Sequence, residues 1–249
     1  MKTRILFLSA LLLSLSCKKD HKLAFEPTSF EENKCSDCPV IDVSIPKALE
    51  NTKIATRINT ALREEVIAIL NFDEETAAAT IADAIKSFST SYYDLKEKFA
   101  DETTTWEAKI DGTVTYEDEN ILTIKLDSYL FTGGAHGYST SRFLNFDKKK
   151  GQELEQSELF KNKEAFQDLA EVKFRLQEHI PEAKSINSTG FMFEADTFYL
   201  PENIGYTQNG LQLFYEQYEV ASYADGPITI TIPYSEIEKL MHTPVKTMR

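Results

Sequence analysis

Apolar residues recur at intervals of three and four in three stretches of the chain, which predicts three amphipathic helices. The first is expected over residues 47–70, the second over 81–99 and the third over 157–179. In the third helix, the positions expected to point inward are Leu159, Phe166, Leu169, Leu176 and either Val172 or Phe174. Stripes of this kind are typical of core packing rather than of a cofactor site.

Elsewhere apolar and polar residues alternate, which is the pattern of β-strands with one buried face. Pro46 is expected to end the first strand, and a turn at Asp118–Asn120 separates two others. The predicted strands are residues 39–45, 106–116, 122–130, 139–146, 196–200, 211–218 and 228–232, followed by a short helix over 235–241. Helices segregated from antiparallel strands predict an α+β fold, with helices packed on an antiparallel sheet.

The order of helices and strands repeats loosely along the chain, which predicts two intimately packed halves. The N-terminal half is expected over residues 39–150 and the C-terminal half over residues 151–249. Ahead of them, residues 17–38 are mostly polar and lack a period, as in a tether.

The first residues have the parts of a secretory signal. Lys2 and Arg4 flank the start of the chain, and an apolar run of 11 residues (Ile5–Leu15) follows. This run is shorter than the roughly 20 residues that a membrane-spanning helix needs. Residues 1–16 are therefore predicted to be a signal peptide, and no later segment approaches the length of a span.

The residues around Cys17 indicate the type of signal. Ser14-Leu15-Ser16-Cys17 resembles the lipobox of bacterial lipoproteins, although the family usually has Leu where this chain has Ser14. The resemblance implies acyl chains on Cys17 and therefore a membrane partner, since each buried methylene contributes about 0.8 kcal/mol and two or three chains anchor stably. We expect a lipid-anchored protein on the extracytoplasmic side of the envelope, periplasmic or on the outer-membrane face. The alternative is ordinary secretion with cleavage elsewhere.

The charge of the chain narrows the range of partners. Removing residues 1–16 takes away Lys2 and Arg4 and lowers the formal net charge from −13 to −15. Such a surface repels nucleic acid and favours basic partners. No nucleic-acid partner is expected, although acidity also serves solubility alone.

Cys35 and Cys38 form a Cys-x-x-Cys motif whose chemistry depends on its surroundings. A zinc site would need two further ligands, and the sequence has no second Cys-x-x-Cys and no His-x(3–5)-His. A thioredoxin-type pair should open a helix, whereas Pro39 leads into a predicted strand. The motif favours a structural disulfide between Cys35 and Cys38 in an oxidising compartment.

His136 is the one histidine in an unusual setting, since it lies in Thr132-Gly-Gly-Ala-His-Gly137. Glycines around a histidine could expose a catalytic base, or they could form a tight turn that excludes larger side chains. The sequence has no Gly-x-Ser-x-Gly and no His-Glu-x-x-His motif. A structural role is the favoured interpretation, and no catalytic residue, metal ligand or cofactor is predicted.

Carboxylates alternate with aromatic residues over Phe214–Gly226, where Glu216, Glu219 and Asp225 lie among tyrosines. An aromatic surface with acidic neighbours could bind a sugar or a basic protein. A strand with alternating buried tyrosines explains the same pattern without a ligand.

Several motifs, taken in order, resemble the extracytoplasmic domain of the RsiV anti-sigma factor and the non-catalytic N-terminal region of the PdaC peptidoglycan deacetylase. They are Thr132–Gly137, Phe143–Asp147, Gly151-x-x-Leu154, Phe198–Leu200, Asn209–Leu213, Tyr218–Gly226 and Ile232–Ser235. The resemblance covers residues 38–242 and implies a PdaC-like first half and an RsiV-like second half. It marks eight residues as structural or binding positions: Gly133, Gly134, His136, Gly137, Tyr218, Glu219, Tyr223 and Gly226.

The departures from these families limit what the resemblance implies. The sequence has no recognisable sigma-factor-binding segment with its transmembrane helix, and no deacetylase domain with metal-binding Asp and His residues. Because the RsiV domain binds lysozyme, the resemblance implies a non-catalytic binding module for a basic, lysozyme-like cell-wall enzyme or for peptidoglycan fragments. The alternative is a cell-wall hydrolase or deacetylase that uses His136 with a carboxylate.

Overall fold

The structure is a computed structural model that describes residues 22–32, 35, 37–72, 77–99, 101 and 103–245. The predicted signal peptide and Cys17 lie outside the described residues. None of the helices in these ranges has the length and apolar character needed to cross a membrane.

Six strands form one sheet in chain order. They are β1 (Phe25–Glu32), β2 (Val40–Ala48), β3 (Glu107–Glu117), β4 (Ile121–Phe131), β5 (Tyr138–Asp147) and β6 (Gln152–Glu153). Neighbouring strands are antiparallel, except that β2 and β3 pair in parallel. The sheet predicted as antiparallel is therefore mixed, because the chain leaves β2, crosses over through two helices and returns in the same direction.

The predicted tether is also corrected by the structure. Residues 25–32, which lie inside it, form the edge strand β1, and β1 pairs with β2 from Phe25↔Ala48 to Glu32↔Ile41. The half-buried rings of Phe25 and Phe30 pack against the core beneath the sheet. The folded unit thus begins well before residue 39.

Two helices, α1 (Lys53–Leu70) and α2 (Ile81–Lys98), cover one face of this sheet. Thr52 caps α1 by accepting a hydrogen bond from the backbone N–H of Ala55, so α1 begins six residues later than predicted. The intervening residues extend β2 through Pro46, which the prediction had placed at its end. Because β3 pairs with β2 only as far as Ser44, β2 is bonded on one side beyond that residue, where proline is tolerated.

The second half of the chain packs a helix on a three-stranded antiparallel sheet. Its elements are α3 (Lys163–Gln177), β7 (Asn203–Thr207), β8 (Gly210–Tyr215), β9 (Ile228–Ile232) and α4 (Tyr234–Ile237). The α+β prediction is confirmed. Residues 196–200 are not a strand, since a 3-10 turn at Glu194–Asp196 precedes irregular chain, and β7 was missed.

The start and the buried face of α3 also differ from the prediction. Asn162 caps the helix at Lys163, after a separate 3-10 turn at Gln156–Glu158. Phe166 and Phe174 are buried as expected, whereas Val172 is 61% exposed and Leu176 is 72% exposed. The buried face is completed by Ala170, a small residue whose methyl group gives a weaker pattern than leucine does.

The two halves meet on the other face of the six-stranded sheet, where β7 contacts β5. The side chain of Asn203 accepts a hydrogen bond from the backbone N–H of Phe143 (2.8 Å), and the Asn145 side chain donates to the carbonyl oxygen of Ile204 (2.7 Å). Gly205 lies against the ring of Phe143. Tyr116 and Ile121 of the first sheet belong to the core of the second half, so the two cores are joined through β3 and β4.

Candidate functional site

The junction of the two halves brings together aromatic and acidic side chains that are about 80 residues apart in the sequence. We call His136, Tyr138, Glu216, Tyr218, Glu219 and Tyr223 the aromatic–acidic cluster. The ring of His136 stacks on that of Tyr223, with 4.0 Å between centroids and 22° between planes. The Tyr223 hydroxyl donates to the carbonyl oxygen of Gly137 at 3.2 Å, and the ring of Tyr218 lies 5.5 Å from that of Tyr223.

Glycines shape the loop that carries His136 between β4 and β5. Gly133 and Gly134 have φ values of 100° and 86°, a left-handed region that other residues rarely adopt. A Cβ atom on Gly137 would lie 2.4 Å from the ring of Tyr129. The loop therefore needs these glycines for its backbone path, which agrees with the tight-turn interpretation of the motif.

Tyr218 is presented to solvent by a turn that follows β8. The predicted strand through residue 218 is wrong, because β8 ends at Tyr215 and the chain then turns. In this turn the backbone N–H of Glu219 donates to the carbonyl oxygen of Glu216 at 3.1 Å. Tyr218 has a φ of 68° and a side chain that is 56% exposed. A non-glycine residue in this region stores strain, and such strain is found preferentially at functional sites.

Two half-buried carboxylates border the rings. Glu216 accepts a hydrogen bond from the backbone N–H of Ser141 on β5 at 3.1 Å, and Glu219 accepts one from the backbone N–H of Glu216 at 2.8 Å. Burial raises the pKa of both carboxyl groups above the usual range, and their mutual repulsion adds to the effect on Glu216. Burial and the nearby carboxylates also raise the pKa of the Tyr138 hydroxyl.

The other predicted site residues lie apart from these contacts. Gly226 ends the 3-10 turn at Tyr223–Asp225, and Asp225 accepts a hydrogen bond from the Ser222 hydroxyl within that turn. The structure joins Cys35 to Cys38 by a disulfide just before β2, with 5.3 Å between the Cα atoms. Tyr138 is the member of the aromatic–acidic cluster that the sequence reading missed. It is the residue directly after Gly137, and only the fold brings its hydroxyl within the electrostatic influence of Glu216 and Glu219.

The contacts of His136 bear on whether the cluster could catalyse a reaction. Its imidazole is exposed, and Nδ1 lies 3.2 Å from the carbonyl oxygen of Gly137. Within the part of the chain that the structure describes, no hydrogen bond joins His136 to a carboxylate, and no group of three His, Cys, Asp or Glu side chains could hold a metal ion. Stacked rings beside carboxylates are chemically able to contact cations and sugars.

Two domain families match the chain in succession. Residues 32–139 match the family described as Deacetylase PdaC, and residues 157–235 match a protein family of unknown function, DUF3298. None of the curated proteins matches the chain.

Two solved structures show the same fold. A DUF3298 family member from Bacteroides fragilis is 21% identical, with a TM-score of 0.69 over 89% of this chain and 94% of the other. A DUF3298 family protein from Pseudomonas aeruginosa is 20% identical, with a TM-score of 0.66 over 91% of this chain and 99% of the other. Both were crystallised, so the fold described above is one that experiment has recorded.

The fold and the family matches define the class of protein to which the chain belongs. It is an α+β protein, and the two matched families indicate a module of the extracytoplasmic, cell-wall-associated kind. The chain contains a PdaC/RsiV-like module, as its motifs predicted, since a region similar to the PdaC family precedes one similar to DUF3298. Neither domain is evidently catalytic.

Proposed function

We propose that the protein is a non-catalytic binding module of the cell envelope, and that its aromatic–acidic cluster recognises a basic, lysozyme-like cell-wall enzyme. The observation that supports this most directly is the exposed, strained Tyr218 beside Tyr223, His136 and two half-buried carboxylates. A lysine or arginine side chain could lie over the rings and approach the carboxylates, which combines a cation–π contact with a charge-assisted hydrogen bond. Peptidoglycan fragments are the second candidate, because sugar rings stack on exposed tyrosines.

The acidic chain adds long-range attraction to these contacts. The formal net charge, −15 once residues 1–16 are removed, attracts a basic protein before contact, which acts mainly on the rate of association. The attraction is screened over about 10 Å at 0.1 M salt. A basic partner should therefore bind faster at low ionic strength than at high ionic strength.

The double variant Glu216→Gln with Glu219→Gln tests the proposal, because glutamine keeps an acceptor oxygen for the backbone N–H groups of Ser141 and Glu216. We expect the association rate with a basic lysozyme, measured by surface plasmon resonance, to fall roughly three- to tenfold at low salt and less at high salt. Binding by the wild type should also weaken as pH falls through the raised pKa range of the two carboxyl groups, since protonation removes the charge that attracts a cation.

The matched control is Glu182→Gln with Glu238→Gln, which removes two exposed charges away from the cluster and should leave most of the association rate unchanged. Equal losses in the two double variants would contradict a site at the cluster. If the wild type binds muropeptides but no lysozyme, the ligand is the wall fragment. Cleavage or deacetylation of muropeptides that is lost in His136→Ala would establish the alternative function, a hydrolase or deacetylase that uses His136.

We further propose that the protein is anchored through lipid on Cys17, with its folded part on the extracytoplasmic side. The lipobox-like residues before Cys17 support this assignment. In cells, Cys17→Ser should abolish labelling by a fatty-acid analogue and release the protein from the membrane fraction. Cys35→Ser with Cys38→Ser is the matched control, and its labelling should be unchanged. Membrane retention of the Cys17→Ser variant would show that the anchor lies elsewhere.

A further inference from the structure

A cavity with none of the aromatic–acidic cluster residues in its wall lies at the edge of the six-stranded sheet, beside β1. It has a volume of about 310 Å³ and opens at the surface between β1, β2, the middle of α1 and the start of α2. Its walls are mainly apolar and include Phe30, Ile45, Leu62 and Ile81. This volume lies at the lower end of the range for small-molecule pockets.

The cavity exists because the two helices do not reach over the edge strand. Thr28 and Phe30 of β1 pair with Ile45 and Val43 of β2 and therefore share the face that the helices cover. Ile45 and Val43 are buried, whereas Thr28 and Phe30 remain half-exposed. The apolar face of the sheet thus continues past the helices and stays open above β1.

Two polar side chains in the cavity wall, Asn59 and Thr80, already form hydrogen bonds within the protein. The Asn59 side chain accepts a hydrogen bond from the Ala48 N–H at 2.8 Å and donates one to the Ala48 carbonyl oxygen at 2.9 Å. Thr80 exchanges capping hydrogen bonds with Asp83 at the start of α2. A peptide in the cavity would leave its own backbone groups without partners, which costs free energy, whereas an alkyl chain carries no such groups.

The charged side chains at the rim of the cavity indicate which polar end group a bound alkyl chain would carry. Of the described side chains that line the cavity, two are charged, and both are basic: Lys47 and Arg63. Lys47 lies 3.1 Å from Glu26, and Arg63 lies 3.8 Å from Glu64, with all four side chains about half exposed or more. Exposed pairs of this kind contribute little stability, so a ligand carboxylate can replace Glu26 and Glu64 at small cost.

From the apolar walls and the basic rim together, we infer that the cavity binds the alkyl chain of a free fatty acid, with its carboxylate at Lys47 and Arg63. The volume suits one chain and not the paired chains of a membrane phospholipid. The cavity shares no residue with the aromatic–acidic cluster, so a ligand here would not occupy that cluster.

The test uses dodecanoate, titrated into the purified protein below its micelle concentration and followed by calorimetry. Dodecyltrimethylammonium, which has the same chain and the opposite charge, should bind at least tenfold more weakly, and acetate should not bind. Lys47→Gln and Arg63→Gln should each weaken dodecanoate about two- to fivefold. Ala82→Phe, at an exposed position on the cavity wall, should fill the space and weaken binding more than tenfold.

Ala68→Phe is the matched control for Ala82→Phe, since Ala68 is also an exposed helical alanine but does not line the cavity. It should bind dodecanoate as the wild type does. Equal binding of the two amphiphiles, unchanged affinity in Ala82→Phe, or association with phosphatidylglycerol vesicles but not with free dodecanoate would each overturn the inference. If Ala82→Phe does not fold, the two glutamine variants and the cationic amphiphile decide the question.

Discussion

Replacing Phe174 by alanine should lower the free energy of unfolding by about 3–5 kcal/mol, the range for a buried aromatic residue that leaves a cavity. Phe174 on α3 is fully buried at the centre of the second core. Its ring makes edge contacts with four others, those of Phe191 (4.9 Å between centroids), Phe193 (5.1 Å), Phe198 (5.6 Å) and Tyr215 (5.8 Å). Each favourable aromatic pair adds about 0.5–1.5 kcal/mol beyond area burial.

Leu176→Ala provides the matched control on the same helix. Leu176 is 72% exposed, so its truncation should change the free energy of unfolding by less than about 0.5 kcal/mol. Urea denaturation followed by circular dichroism measures both variants. Similar losses for Phe174→Ala and Leu176→Ala would show that α3 does not present the face described here to the core.

The orientation of α3 shows where the sequence pattern was ambiguous. Two stripes at helical spacing compete on this helix, one through Phe166, Ala170 and Phe174 and the other through Leu169, Val172 and Leu176. Counting large apolar residues favours the second stripe, whereas the fold buries the first, because the small Ala170 lets the helix approach its sheet. Periodicity therefore predicted the helix and the burial of Phe166, but it did not predict that Val172 and Leu176 are exposed.

The apolar stripe predicted the bounds of α2 to within one residue. Thr80 and Asp83 form a capping box at its start, and the apolar stripe identifies its inward face. By contrast, β1 has a proline and several acidic residues, and it is a strand because β2 pairs with it along its whole length. Such a strand is determined by a partner distant in the chain, which single-sequence propensity does not report.

The sequence identified the motifs of the candidate site, but it did not show that they lie together. The sequence singled out His136, Tyr218, Glu219 and Tyr223, yet nothing in it placed a loop at residue 136 against a turn at residue 223. Their contact depends on the second half docking against β5, through a hydrogen bond from Phe143 to Asn203 of β7 and one from Ser141 to Glu216 in the turn after β8. Tyr138 joins the cluster through the same docking.

That docking rests on a close approach at Gly205 of β7. A Cβ atom at this position would lie 2.1 Å from Cγ and Cδ1 of the Phe143 ring, well inside van der Waals contact. Both residues are buried, and Phe143 is held on its other side within β5 by pairing with β4. Neither the ring nor the backbone can move away freely, so the junction admits only glycine here.

Gly205→Ala should therefore lower the free energy of unfolding by about 3 kcal/mol, at the upper end for overpacking in a core. In a Phe143→Ala background, the same substitution should lower the free energy of unfolding by less than about 1 kcal/mol, because the ring that the new methyl group would meet is then absent. Urea denaturation of the wild type, the two single variants and the double variant completes the cycle. Equal effects of Gly205→Ala in the two backgrounds would contradict the contact. Gly205→Ala should also weaken binding at the aromatic–acidic cluster. The hydrogen bonds of Asn203 and Glu216 to β5 form only when the second half lies close to that strand.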